Sequence, residues 1–83
     1  MTKKVLIIEG SATEALRTKL ILEREGYQVS LAADGKEGIA KAASEQPDLI
    51  VLATIMPRVG GYEVWEKLKG DEATSSIPVV LLT

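Results

Sequence analysis

Pro47-Asp48-Leu49-Ile50-Val51-Leu52-Ala53-Thr54-Ile55-Met56-Pro57-Arg58-Val59-Gly60-Gly61-Tyr62-Glu63 holds, in one unbroken stretch, a helix stop, a strand, a loop and the start of a helix. The ring of Pro47 fixes φ and removes a backbone donor, so a helix arriving from upstream ends there. Leu49-Ile50-Val51-Leu52 is the most apolar strand candidate in the chain, and such a run suits a strand buried on both faces at the centre of a parallel sheet. Residues 56–61 contain a proline and two glycines, the composition of a loop. Residues 62–69 then read as a short helix with Val64, Trp65 and Leu68 on its inner side, closed by Gly70.

The same alternation extends in both directions. Upstream, Val5-Leu6-Ile7-Ile8 is a second buried-strand pattern, ended by Glu9-Gly10. Ser11 with Glu14 three residues later is a capping-box signature. Ala12, Ala15, Leu16, Leu20 and Ile21 recur at helical spacing, and Gly26 offers a left-handed stop, which predicts a helix over 12–25. Tyr27, Val29 and Leu31 alternate with polar Gln28 and Ser30, as in a strand at a sheet edge. Asp34 can cap a further helix with Glu37 in its third position, and Ile39, Ala42 and Ala43 give that helix a narrow inner face that lets it lie close to its sheet. Downstream, the polar residues 71–76 lead through Pro78 into Val79-Val80-Leu81-Leu82, a fourth strand.

The order β-α-β-α-β-α-β calls for right-handed crossovers and one parallel sheet with helices on both faces. With 83 residues and no internal repeat or low-complexity segment, the chain reads as a single α/β domain over 1–83. Hydrophobic residues make up 46% and charged residues 27%, an ordinary globular balance. A net charge of −2 with acids and bases interspersed provides no basic face to neutralise phosphates, so nucleic acid is not an expected partner. The chain has no cysteine and no histidine, which removes disulfides, thiolate metal sites and the commonest general base. Met1-Thr2-Lys3-Lys4 runs directly into a strand-like stretch too short for a signal-peptide core, so no membrane segment is expected and a cytoplasmic location follows as the default.

In an open parallel sheet, reactive groups gather at the carboxyl ends of the strands. Those positions are Glu9-Gly10, Ala32-Ala33, Ala53-Thr54 and Thr83, a rim with a single carboxylate. Glu9 alone is a poor Mg²⁺ site, since that ion wants near-octahedral oxygen ligands, and neither a metal nor any other cofactor is expected. A carboxylate before a helix N-terminus is also favourable as plain electrostatics. Gly10-Ser11 could cradle an anion through free backbone N–H groups, yet neither phosphate-binding glycine pattern is present, so small-ligand binding stays a minor reading.

These segments resemble the receiver domains of two-component response regulators. The likeness is carried by residues 4–9, 22–29, 32–38, 47–63 and 77–83, with the strand, Met56-Pro57 turn and Gly61-Tyr62-Glu63 helix start as its most specific part. It implies a flavodoxin-like sheet of strand order 2-1-3-4, in which an aspartate ending strand 3 takes a phosphoryl group from a partner histidine kinase, with Mg²⁺ held by it and by an acidic pair ending strand 1. Here Ala53 stands at the acceptor position, Gly10 at the second place of the acidic pair beside Glu9, and Gly60 where an aspartate is common. Thr83 matches the family's switch hydroxyl. The family's fifth strand with its lysine, and its last two helices, have no counterpart within residues 1–83.

An alanine methyl is no nucleophile, and without metal and lysine nothing neutralises the transferring phosphoryl oxygens. The resemblance therefore predicts a pseudo-receiver, not an enzyme, that signals through protein contact or self-association. The alternative is a phosphorelay receiver whose aspartates were replaced and whose last part was removed. Candidate contact residues are Met56, Pro57, Tyr62 and Trp65, together with Val79, Val80, Leu81 and Leu82 in strand 4. That strand would be a bare apolar edge and a pairing template, and a homodimer through it is expected.

Overall fold

The computed structural model describes residues 2–54 and 60–82. The elements are β1 Lys4–Ile8, α1 Ala12–Arg24, β2 Gln28–Ala32, α2 Gly35–Glu45, β3 Leu49–Ala53, α3 Gly61–Gly70 and β4 Val79–Leu82. All pairings are parallel in the order β2-β1-β3-β4, so the two most apolar strands, β1 and β3, lie at the centre as their composition requires.

The helix ends follow local chemistry. Ser11 caps α1, its Oγ accepting from Glu14 N–H at 3.3 Å, and Gly26 adopts the left-handed conformation that ends the turn, with φ of 91°. Asp34 caps α2 by accepting from Glu37 N–H at 2.8 Å, while Glu37 Oε1 reaches back to Ala33 N–H at 2.6 Å. The end of α2 differs from the sequence expectation. Gln46, not Pro47 alone, closes it, with a left-handed φ of 48° and its side-chain amide donating to the carbonyls of Ala43 and Ala73. A bond from residue 46 to residue 73 is a tertiary event that no local pattern announces.

Two helices cover one face of the sheet. There α2 and α3 enclose Leu6, Ile8, Ile50, Leu52, Val64 and Leu68, all fully buried, with Val79 and Leu81 packed against them. Gly38 lets α2 approach closely, because a Cβ at that position would fall 2.5 Å from Ile8 Cδ1. On the other face α1 packs on β1 and β2 above a smaller cluster of Val5, Ile7 and Val51, joined by Leu22. Only Ala15 of α1 is fully buried, while Leu16, Leu20 and Ile21 are about half exposed. The helical spacing of those three marked a stripe that does not face the chain's own sheet. Trp65, expected on the inner side of α3, is 39% exposed beside fully buried Val64 and Leu68. No helix among the described residues is long and apolar enough to cross a membrane.

Candidate functional site at the strand-end rim

The carboxyl ends of the strands form the rim, and each end is closed by a different contact. At the end of β1 the side chain of Glu9 turns onto the start of α1, where Oε2 accepts from Ser11 N–H at 3.1 Å. With Glu14 N–H taken by Ser11 Oγ, two donors of the α1 N-terminus are already satisfied. The anion cradle considered for Gly10-Ser11 is thus occupied by the protein's own side chains.

At the end of β3, Ala53 is 6% exposed and belongs to the same buried cluster as Val64 and Leu68. Gly61, the first residue of α3, crosses directly over this strand end: its N–H donates to Thr54 O at 3.0 Å, and a Cβ on it would overlap Ala53 O and Thr54 Cα. Glycine is therefore a packing requirement at position 61. The neighbouring Thr54, which the sequence reading passed over as a plain strand-end hydroxyl, ties β3 to β4. Its N–H and its Oγ1–H both donate to Leu82 O, each at 3.0 Å. A hydroxyl pairing across 28 residues has no sequence signature.

Between the ends of β1 and β2 lies a shallow cleft of about 230 Å³ walled by Ala12, Ala15, Ala32 and Ala33, with Glu9 and Glu37 as its ionisable groups. Among the described residues no cationic side chain lines it. Among the described residues, no group of three His, Cys, Asp or Glu side chains is placed to hold a metal ion. Glu9 is a single carboxylate already accepting a backbone donor, and Gly10 and Ala53 contribute no side-chain oxygen, so this donor set does not fit Mg²⁺.

The remaining expected residues divide by position. Tyr62 is 60% exposed on α3, and Trp65 lies one turn further along the same helix. Val80 and Leu82 of β4 are exposed, whereas Val79 and Leu81 point into the covered core. Met56, Pro57 and Thr83 lie outside the described residues.

A four-stranded parallel sheet of order 2-1-3-4 with a strand-end rim defines an α/β domain of flavodoxin-like topology. The chain belongs to the response regulator receiver domain family, whose model matches residues 5–83. It is 36% identical over 80 residues to Protein PilH of Pseudomonas aeruginosa, covering 96% of this chain and 66% of that protein. To the DNA-binding dual master transcriptional regulator RpaA of Synechocystis it is 41% identical over 80 residues, covering 33% of that protein. The chain thus spans between a third and two thirds of the length of these relatives. The N-terminal domain of a response regulator receiver protein from Methanoculleus marisnigri superimposes with a TM-score of 0.96 at 32% identity, covering all of this chain and 68% of that one.

Proposed function

We propose that the chain is a pseudo-receiver: a two-component signalling module that accepts no phosphoryl group at the rim and works by protein contact. The observation that carries this reading is Ala53. At the position that resembles the family's acceptor aspartate, the chain has an alanine, 6% exposed and part of the buried α2–α3 cluster. Its methyl group neither attacks phosphorus nor binds metal. Glu9, the carboxylate that follows β1, accepts from Ser11 N–H and is better read as a capping group than as a metal ligand. A cytoplasmic location is part of the same proposal, as is the lack of any catalytic step.

Contact then has to be made by surface. Self-association through the β4 side is part of the same proposal: among the described residues β4 pairs only with β3, and Val80 and Leu82 are exposed. Tyr62 and Trp65 on α3 are the second candidate surface, for a different protein partner.

The test is incubation with acetyl phosphate and Mg²⁺, followed by intact-mass and peptide mass spectrometry. No adduct is expected. A magnesium-dependent phosphoryl adduct on a strand-end residue overturns the proposal.

A further inference from the structure

We infer that Lys41 of α2 guards the outer edge of β2 against pairing with another chain, and that removing its charge turns this edge into a self-pairing surface. Among the described residues β2 pairs only with β1, and it lies at the opposite edge of the sheet from β4, so the two surfaces are independent.

The register of the sheet fixes which backbone groups of β2 are free. Gln28 N–H donates to Lys3 O, and Ala32 O accepts from Glu9 N–H, so residues 28, 30 and 32 turn their backbone groups toward β1. The direction alternates along a strand, and Val29 and Leu31 therefore turn their N–H and C=O groups away from the sheet. Such outward groups, two residues apart, are a template on which a further strand adds.

Three side chains of α2 lie across that edge. Positions 37, 41 and 45 recur at the four-residue spacing that sets them on one side of a helix. Glu37 Oε1 accepts from Ala33 N–H at 2.6 Å, Lys41 Nζ donates to Leu31 O at 2.5 Å, and Glu45 Oε1 accepts from Ser30 Oγ–H at 2.8 Å. Glu37 to Glu45 is a rise of about 12 Å along the helix, and Ala33 back to Ser30 is about 10 Å along the strand, so the row and the edge keep step. Lys41 Nζ also lies 3.8 Å from Glu37 Oε2, and its side chain is 33% exposed.

The ammonium group thus occupies the acceptor that an N–H of an added strand would use. An incoming strand must displace it and press a charge against a closed backbone pair. The other half of the edge opens on a groove of about 390 Å³ lined by Lys4, Gln28, Val29, Ser30, Ser44 and Glu45. Room is therefore not the obstacle. With Leu31 O occupied, Val29 alone keeps both a free donor and a free acceptor, too little to hold a strand whose ordering costs backbone entropy at every residue.

The test compares the full native chain with Lys41→Met, which keeps the side-chain length and the helix preference, and with Lys41→Arg, which keeps the cation. In sedimentation equilibrium the association constant of Lys41→Met should exceed the native value by roughly tenfold or more, while that of Lys41→Arg stays close to it. Amide hydrogen exchange followed by NMR locates the contact. Val29 and Leu31 should exchange fast in the native chain at every concentration, and become protected in Lys41→Met as it associates. An association constant for Lys41→Met equal to the native one, or association that leaves both amides fast, overturns the inference. So does Lys41→Arg associating as tightly as Lys41→Met. Protection of the Leu31 amide in the native chain overturns it without any variant, because the edge is then already paired.

Discussion

The two faces of this sheet use the same strands and are finished differently. On the α2–α3 face the buried cluster runs through all four strands and both helices. On the α1 face the buried cluster is confined to Val5, Ile7 and Val51, and the β4 side chains are left in solvent. Adjacent residues of one strand thus occupy very different surroundings, as with Val79 against the core and Val80 outside it. The contrast teaches that strand parity sorts the side chains of β4: Val79 and Leu81 pack against the α2–α3 core, and Val80 and Leu82 do not.

The largest test of that separation compares neighbours in β3. Leu52→Ala, on the α2–α3 side, should cost about 2–5 kcal/mol in urea unfolding, enough to leave a small domain largely unfolded. Val51→Ala, one residue away on the α1 side, should cost about half as much. Equal losses would mean that the two faces contribute alike. Next, Gly38→Ala forces a methyl group into Ile8 where α2 approaches β1 closely, and its thermal midpoint should fall by an amount equivalent to roughly 1–3 kcal/mol. An unchanged midpoint would show that α2 can lift without loss.

Thr74→Val sharpens the contrast further. Thr74 is 1% exposed and donates to Leu68 O at 2.6 Å, so it ties the loop after α3 to that helix. Losing that bond should cost about 1–2 kcal/mol and speed hydrogen exchange in α3 before it does so in α1. Smallest of all, Leu16→Gln on the exposed side of α1 should shift the stability of dilute monomer by no more than about 0.5 kcal/mol. A larger loss would place Leu16 in the chain's own core.

The fold was legible where hydrophobic period and capping chemistry agree. Val5–Ile8 and Leu49–Leu52 read as central strands because nothing polar interrupts them, and Ser11, Gly26 and Asp34 marked helix ends through rules that act within a few residues. The contacts that escaped the sequence span distant segments: Gln46 to Ala73, Thr54 to Leu82, and Gly38 against Ile8. Each depends on which elements become neighbours, which no local window contains. The direction of the α1 stripe was hidden for a related reason. Spacing shows that Leu16 and Leu20 share a side of the helix, but not that the sheet meets the side carrying Ala15 and Leu22.

At the rim, the proposal that Ala53 replaces an acceptor needs only residue identity and the family resemblance. The engagement of Glu9 with Ser11, and the closure of the β3 end by Gly61, required coordinates. Together they close the described strand ends of β1 and β3 by capping and packing.

Trp65 is the chain's sole tryptophan, and it stands on α3, across the sheet from α1. Its ultraviolet emission is therefore a local gauge of the α3 surface and is insulated from events on the opposite side by the thickness of the sheet. A change in colour or anisotropy on dimer formation would instead mean that strain is transmitted through β3, which would make this small domain a relay between its two surfaces.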